Sequence, residues 1–364
     1  MAYVTQPVAS PSTVTTTPPT QNYSIGARLG VALLSLLLTA GAMELLLRGY
    51  VSVSGLGKSG QDKDGAIQPL PDSARSYALR PGLPPPFSTN AFGFRGEPVE
   101  VAKPAGVRRI VMLGDSITYG NSVEWDQTFS RVLQQSLNER ATGQSFEVLN
   151  LGVSGYNTGQ ELATLRELGL RFSPDLIVLN VCLNDSDAVR KVTPLGLRND
   201  VAIRSFGDIN FRTILQSSYL ISMTKYALFT QLEKSFPGFV GKLNSPELVI
   251  DPRMREKGWG TMKEEMRAMF ELARERQIPL AIVIYPYSSQ IGMQPEQMKP
   301  QQDLLAFAAA NGIPALEPSA AYLHQPEDMF ADEFIHLSPH GHRVMAAAIQ
   351  EFLAARGLLP ARTP

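Results

Sequence analysis

Residues 108–120 read Arg-Arg-Ile-Val-Met-Leu-Gly-Asp-Ser-Ile-Thr-Tyr-Gly. The run Arg108–Leu113 is short and mostly apolar, the mark of a buried strand. Gly114 follows as a turn, and a helix-like stretch runs on through Asn138. A serine set just after a strand, where a helix opens, is exposed at the sheet edge. There it faces backbone N–H groups able to hold a developing oxyanion. Ser116 equally fits a plain helix cap. The segment is not a G-x-S-x-G nucleophile elbow, because Thr118 occupies the place of the second glycine.

The same alternation recurs downstream. Phe146–Leu151, Leu176–Val181, Leu280–Tyr285 and Ile313–Leu316 read as strands. Gln160–Arg171, Met262–Arg276, Gln302–Ala310 and a last stretch after Ser338 read as helices. Apolar strands alternating with amphipathic helices predict an α/β fold of three layers, a parallel sheet covered on both faces. Ligand and catalytic groups of such sheets sit at the carboxyl ends of the strands.

Those ends carry the candidate chemistry. After the second strand comes Asn150-Leu151-Gly152-Val153-Ser154-Gly155-Tyr156-Asn157, where a glycine lets the backbone approach a ligand and offer its N–H; an ordinary strand-to-helix turn reads the same. After the third comes Cys182-Leu183-Asn184-Asp185. The Asn184 amide can donate to an oxyanion, or can simply close an Asx turn. Cys182, following Val-Leu-Asn-Val, reads as a core residue. Near the C-terminus, Asp332 and Glu333 precede His336 in the order expected of a general base with an orienting acid. Three of the four histidines, His336, His340 and His342, fall within seven residues. A metal site is the rival reading. However, Ser338-Pro339 looks like an N-cap and first helical residue, which points His340 and His342 to different faces. No metal and no organic cofactor is expected.

Composition narrows the function classes. The 364 residues carry 33 Lys+Arg against 34 Asp+Glu, a net charge of −1, without the basic excess a nucleic-acid partner requires. One cysteine excludes an intramolecular disulfide framework and a thiolate-rich zinc site. Residues 1–24 are rich in Thr, Ser and Pro, carry no charge and read as a flexible tail. Residues 25–48 read as a transmembrane anchor. Leu29–Met43 is uncharged, and the segment reaches the roughly 20 residues a bilayer needs if Glu44 is tolerated near one end, paired with Arg48. A cleaved signal peptide ending near Ala40-Gly41-Ala42 and a buried helix are the alternatives. Residues 49–90 read as a tether stiffened by prolines. A globular domain is expected over 91–360, with an irregular insertion at about 190–256 whose aromatic residues (Phe206, Phe211, Tyr219, Tyr226, Phe229, Phe236, Phe239) pack a small core of their own or form a lid.

Taken together, the four blocks resemble the SGNH (GDSL-type) hydrolase superfamily over roughly residues 105–355. Ser116 in Gly-Asp-Ser matches the nucleophile and Gly155 the oxyanion glycine. Asn184 matches the oxyanion asparagine and His336 the base of the D-x-x-H block. The lead-in Asn90-Ala91-Phe92-Gly93-Phe94-Arg95-Gly96 is similar to a segment of membrane-anchored bacterial members. Two departures stand out. Cys182 replaces the glycine of G-x-N-D, and the acid three residues before the histidine is Glu333, while the aspartate, Asp332, lies four before. Asp332 is slightly favoured for its shorter side chain, and both stay open.

The resemblance implies a flavodoxin-like sheet and a serine esterase working through an acyl-enzyme, with an oxyanion hole of Ser116 N–H, Gly155 N–H and the Asn184 amide. The expected substrate is an acylated glycan or lipid of the cell envelope, carrying O-acetyl or short acyl groups. An O-acyltransferase acting on an exopolysaccharide is the alternative, and a non-catalytic carbohydrate-binding scaffold a more remote one. Basic residues flanking the anchor (Arg28 on one side; Arg48, Lys58 and Lys63 on the other) mildly favour a cytoplasmic domain. The resemblance favours a periplasmic one.

Overall fold

Leu176–Val181 is buried at every position and forms the centre of a parallel sheet. The computed structural model describes residues 24–54, 66–140, 143–187, 190–193, 196–199, 257–323, 328–332 and 335–360, with five further helical positions between 220 and 235. Chain order gives the hairpin strands β1 (Ile67–Leu70) and β2 (Ser76–Leu79), then β3 (Val107–Leu113), β4 (Ser145–Asn150) and β5 (Leu176–Val181). A second hairpin, β6 (Arg190–Thr193) and β7 (Gly196–Asn199), precedes β8 (Leu280–Ile284) and β9 (Ala315–Leu316).

The five-stranded sheet has the order β4-β3-β5-β8-β9 and every pairing in it is parallel. Counted along the sheet alone this is 2-1-3-4-5, the flavodoxin-like order, whose switch point lies beside the first strand. The helices whose bounds lie within the described residues are α1 (Ile25–Ser54), the single-turn α2 (Ser116–Tyr119), α3 (Phe129–Arg140), α4 (Thr158–Glu167), α5 (Lys257–Glu275), α6 (Lys299–Ala310), the short α7 (Ser319–Tyr322) and α8 (Pro339–Ala355). Helix α3 packs with α8 and α4 with α5, so helices flank the sheet. Full burial of β5 and β8 explains why both read as apolar runs, broken only by Asn180 in β5, rather than alternating ones.

The tether reading of 49–90 is corrected from residue 66 onward. Ile67, Tyr77 and Leu79 of the β1–β2 hairpin are buried in a small cluster with Tyr119, Val153 and Tyr156. Tyr77 meets Tyr156 edge-on at 5.1 Å, and its hydroxyl donates to the Ser154 carbonyl at 3.0 Å. Proline- and serine-rich composition conceals three apolar residues, one on β1 and two on β2, with a partner surface.

Helix α1 holds a 23-residue apolar stretch, Ile25–Leu47, long enough to cross a membrane and with none of its residues buried. Glu44 accepts a hydrogen bond from the Leu220 N–H at 2.9 Å. The Arg48 side chain and the seven insertion aromatics lie outside the described residues.

Candidate active site

Strand β3 delivers Ser116 through a turn that admits only glycine at its first position. Gly114 has φ +154°, and a Cβ there would lie 2.2 Å from Thr118 Oγ1 and 2.9 Å from the Asn180 carbonyl. Asp115 then caps α2, its Oδ1 accepting from the Ile117 N–H at 2.9 Å. Ser116 opens α2 and is 8% exposed.

His336 arrives from the other end of the chain. Its Nε2 lies 3.0 Å from Ser116 Oγ, and its Nδ1 lies 2.5 Å from Asp332 Oδ2. A carboxylate can only accept, so Nδ1 carries the proton and Nε2 is the acceptor for the Ser116 hydroxyl. Asp332 is itself fixed, since its Oδ1 accepts from the backbone N–H groups of Ile335 (2.7 Å) and His336 (3.0 Å). This compact turn lets an acid four residues back reach the ring. Glu333, the other candidate, lies outside the described residues. Ser338 is the N-cap of α8, accepting from the Gly341 N–H at 3.0 Å, so the imidazole sits just ahead of a capped helix.

The remaining two blocks are tied into the same place. Gly155 adopts φ +80°, a conformation costly for other residues. Its loop is pinned on both sides, by the Tyr77 hydroxyl on the Ser154 carbonyl and by Asn121 Nδ2, 3.2 Å from Ser154 Oγ. Asn184 is half-buried on a short 3₁₀ turn, Leu183–Ser186, after β5. Asp185 Oδ2 holds that turn by accepting from the Cys182 N–H at 2.7 Å. Asn157 Nδ2 donates to the Asp187 carbonyl at 2.9 Å, joining the Gly155 loop to the Asn184 turn.

Several neighbours escaped the sequence reading. Asn121 Nδ2 lies 3.4 Å from His336 Nε2, close enough to compete with Ser116 for the ring. Nothing in its local pattern marks it. Arg95, within the quoted lead-in, is 5% exposed and its guanidinium donates to the carbonyls of Tyr119 (3.0 Å), Gly120 (2.5 Å), Val123 (2.5 Å) and Pro86 (3.0 Å). It thereby clamps the segment that follows the serine turn. Three buried carboxyls, Asp115, Glu161 and Asp185, lie behind the serine, each at most 1% exposed. Burial pushes all three above the usual carboxylate range. Burial also pushes the Cys182 thiol well up, away from the reactive thiolate form. His342 is a core residue: its Nδ1 accepts from the Phe129 N–H at 3.0 Å, and its ring stacks on Phe129.

A hydroxyl, an imidazole and a carboxylate thus stand in line at the carboxyl edge of a 2-1-3-4-5 sheet, the order of groups that a serine triad uses. The chain belongs to the GDSL-like lipase/acylhydrolase family, whose family model matches residues 112–344. Over 77 residues it is 32% identical to an arylesterase of Vibrio mimicus, a match covering 21% of this chain and 38% of that protein. The chain thus spans little more than a third of that relative's length. Among solved structures, a member of the lipolytic G-D-S-L family from Veillonella parvula is 16% identical, covering 67% of this chain and 97% of that one, with a TM-score of 0.38. The acetylxylan esterase Axe2 of Geobacillus stearothermophilus is 13% identical, covering 68% and 94%, with a TM-score of 0.40.

Proposed function

We propose that the chain is a serine esterase in which Ser116 is the nucleophile, His336 the general base and Asp332 the acid that orients it. The observation that carries this reading is the alignment of Ser116 Oγ, His336 Nε2 and Nδ1, and Asp332 Oδ2 at 3.0 and 2.5 Å. His336 takes the Ser116 proton as Oγ attacks the ester carbonyl, and then delivers it to the departing alcohol. Water, deprotonated by the same ring, resolves the acyl-serine. The tetrahedral oxyanion is held by Ser116 N–H, Gly155 N–H and the Asn184 amide; each donor of this kind is worth about 2.7–4 kcal/mol in the transition state.

The substrate in this reading is an O-acetyl or short acyl ester on a glycan or lipid of the cell envelope. The family membership and the arylesterase relative support ester bonds. The apolar stretch Ile25–Leu47 supports a single-pass anchor that keeps the domain at a membrane surface; the extracytoplasmic side in this reading rests on the resemblance to membrane-anchored family members. The test is hydrolysis of p-nitrophenyl esters of increasing chain length by the full-length chain in detergent. Turnover of the acetate ester, falling with chain length and lost in Ser116→Ala, supports the reading. Release of acyl groups only when a sugar acceptor is added would replace hydrolysis with transfer.

A further inference from the structure

Buried polar atoms are almost always hydrogen-bonded, so an unsatisfied cluster requires an explanation. Around the first turn of α4 and the Leu183–Ser186 turn lie both carboxylate oxygens of Glu161, Asp185 Oδ1 and Asn184 Oδ1, all buried and without a partner among the described residues. Glu161 is 1% exposed and Asp185 is 1% exposed. The groups that bear on Glu161 electrostatically are Asp115, at the serine turn, and Glu265, on α5; those that bear on Asp185 are Glu161, Asp115 and Asp187. Every one of them is acidic. Asp115 has the His336 ring near it, but no cation among the described residues bears on Glu161 or Asp185, and three negative charges so placed are far too costly to coexist in the interior.

The hydrogen bonds identify which group keeps a proton. Asp185 is stabilised as a carboxylate by the Cys182 N–H, and Asp115 by the Ile117 N–H. Glu161 receives no donor among the described residues. Hydrogen bonds to the charged form favour ionisation, so the group without them is the one that stays neutral.

We propose that Glu161 is a positioning residue, a neutral carboxylic acid whose O–H donates to the free Asp185 Oδ1 and so fixes the turn that aims the Asn184 amide. This rests on the reading of Asn184 as an oxyanion donor. The arrangement satisfies one orphaned acceptor, removes one buried charge and links α4, which follows the Gly155 loop, to the turn carrying Asn184. The Asn157–Asp187 hydrogen bond already joins the same two elements.

Glu161→Gln keeps a donor and the size of the side chain, while Glu161→Leu removes the donor. With the full-length chain in detergent, Glu161→Gln is expected to retain near-native kcat and an unmoved acidic limb in the pH profile of kcat/KM. Glu161→Leu is expected to lose kcat on the order of 10²-fold, with KM changing far less, because a misplaced donor costs transition-state binding. Difference infrared spectra of the wild type at neutral pH should show the C=O stretch of a buried carboxylic acid that Glu161→Gln lacks.

A downward shift of the acidic limb in Glu161→Gln would mean that an ionised Glu161 supports the imidazole, overturning the proposal. Native kcat in Glu161→Leu, or absence of the infrared band, would overturn it too. Should Glu161→Leu fail to fold, the Gln variant and the spectrum still decide. If Ser116→Ala remained active, the reading of the site would fail while the band still tested the proton on Glu161.

Discussion

Asp332 reaches the His336 ring from four residues back because its second oxygen is already committed to two backbone N–H groups, those of Ile335 and His336. The carboxylate therefore organises its own turn and the imidazole tautomer together. Asp332→Asn keeps the size but lets the amide donate to Nδ1, which leaves Nε2 protonated and unable to accept from Ser116. Loss of kcat by about 10⁴-fold is expected, the magnitude such a tautomer error produces in a serine triad. Glu333→Gln is expected to stay within a few-fold of wild type. Steady-state kinetics of the two variants side by side separate the two carboxylates.

Asn184→Ala is expected to lower kcat on the order of 10²–10³-fold, as removal of one oxyanion donor does. KM for a small ester should move far less, since the donor acts on charge that develops only in the transition state. A KM effect without a kcat effect would place Asn184 in ground-state binding instead.

Arg95→Met removes four hydrogen bonds, leaving the carbonyls of Tyr119, Gly120 and Val123 buried and that of Pro86 open to solvent. Each orphaned acceptor costs roughly 1–3 kcal/mol, partly relieved by relaxation. A drop in Tm on the order of 10 °C is expected, at about 2–4 °C per kcal/mol for a domain of this size. Differential scanning fluorimetry reads it directly.

His342 gives the fold an acid limit. Burial, helped by Arg95 and His336, lowers its pKa from 6.5 to about 3, so it is neutral in the native state. The unfolded chain binds the proton first as pH falls below 6.5. The stability contributed by neutral His342 is complete above that value and is lost progressively down to about pH 3. His342→Gln, which keeps an acceptor for the Phe129 N–H, is expected to flatten the fall in urea midpoint across that range.

What was legible in the sequence follows from what burial does to composition. Leu176–Val181 reads as a strand to the residue because both faces of β5 are covered, which leaves Asn180 as its one polar position. Ser116, Gly155, Asn184 and His336 stand out because each lies where a strand ends or just ahead of the last helix. Three features were not legible. The β1–β2 hairpin hides inside proline- and serine-rich chain, because Tyr77 is buried only by virtue of Tyr156 and the Ser154 carbonyl, about 80 residues away. Arg109 lies within β3 and is fully buried, its charge met by Glu147 at 2.6 Å and by the carbonyls of Val101 and Phe172. Asn121 touches His336 across 215 residues of sequence, with no local signature. Tertiary contacts decide all three.

The central claim is that Ser116 carries the acyl group between substrate and water. Rapid quench of the full-length chain with p-nitrophenyl acetate, followed by peptide mass spectrometry, tests it most directly. The account predicts one acetyl group on the peptide containing Ser116, formed at the rate of the nitrophenolate burst and absent from Ser116→Ala. Turnover that persists in Ser116→Ala, or acetyl carried by another residue, would contradict it.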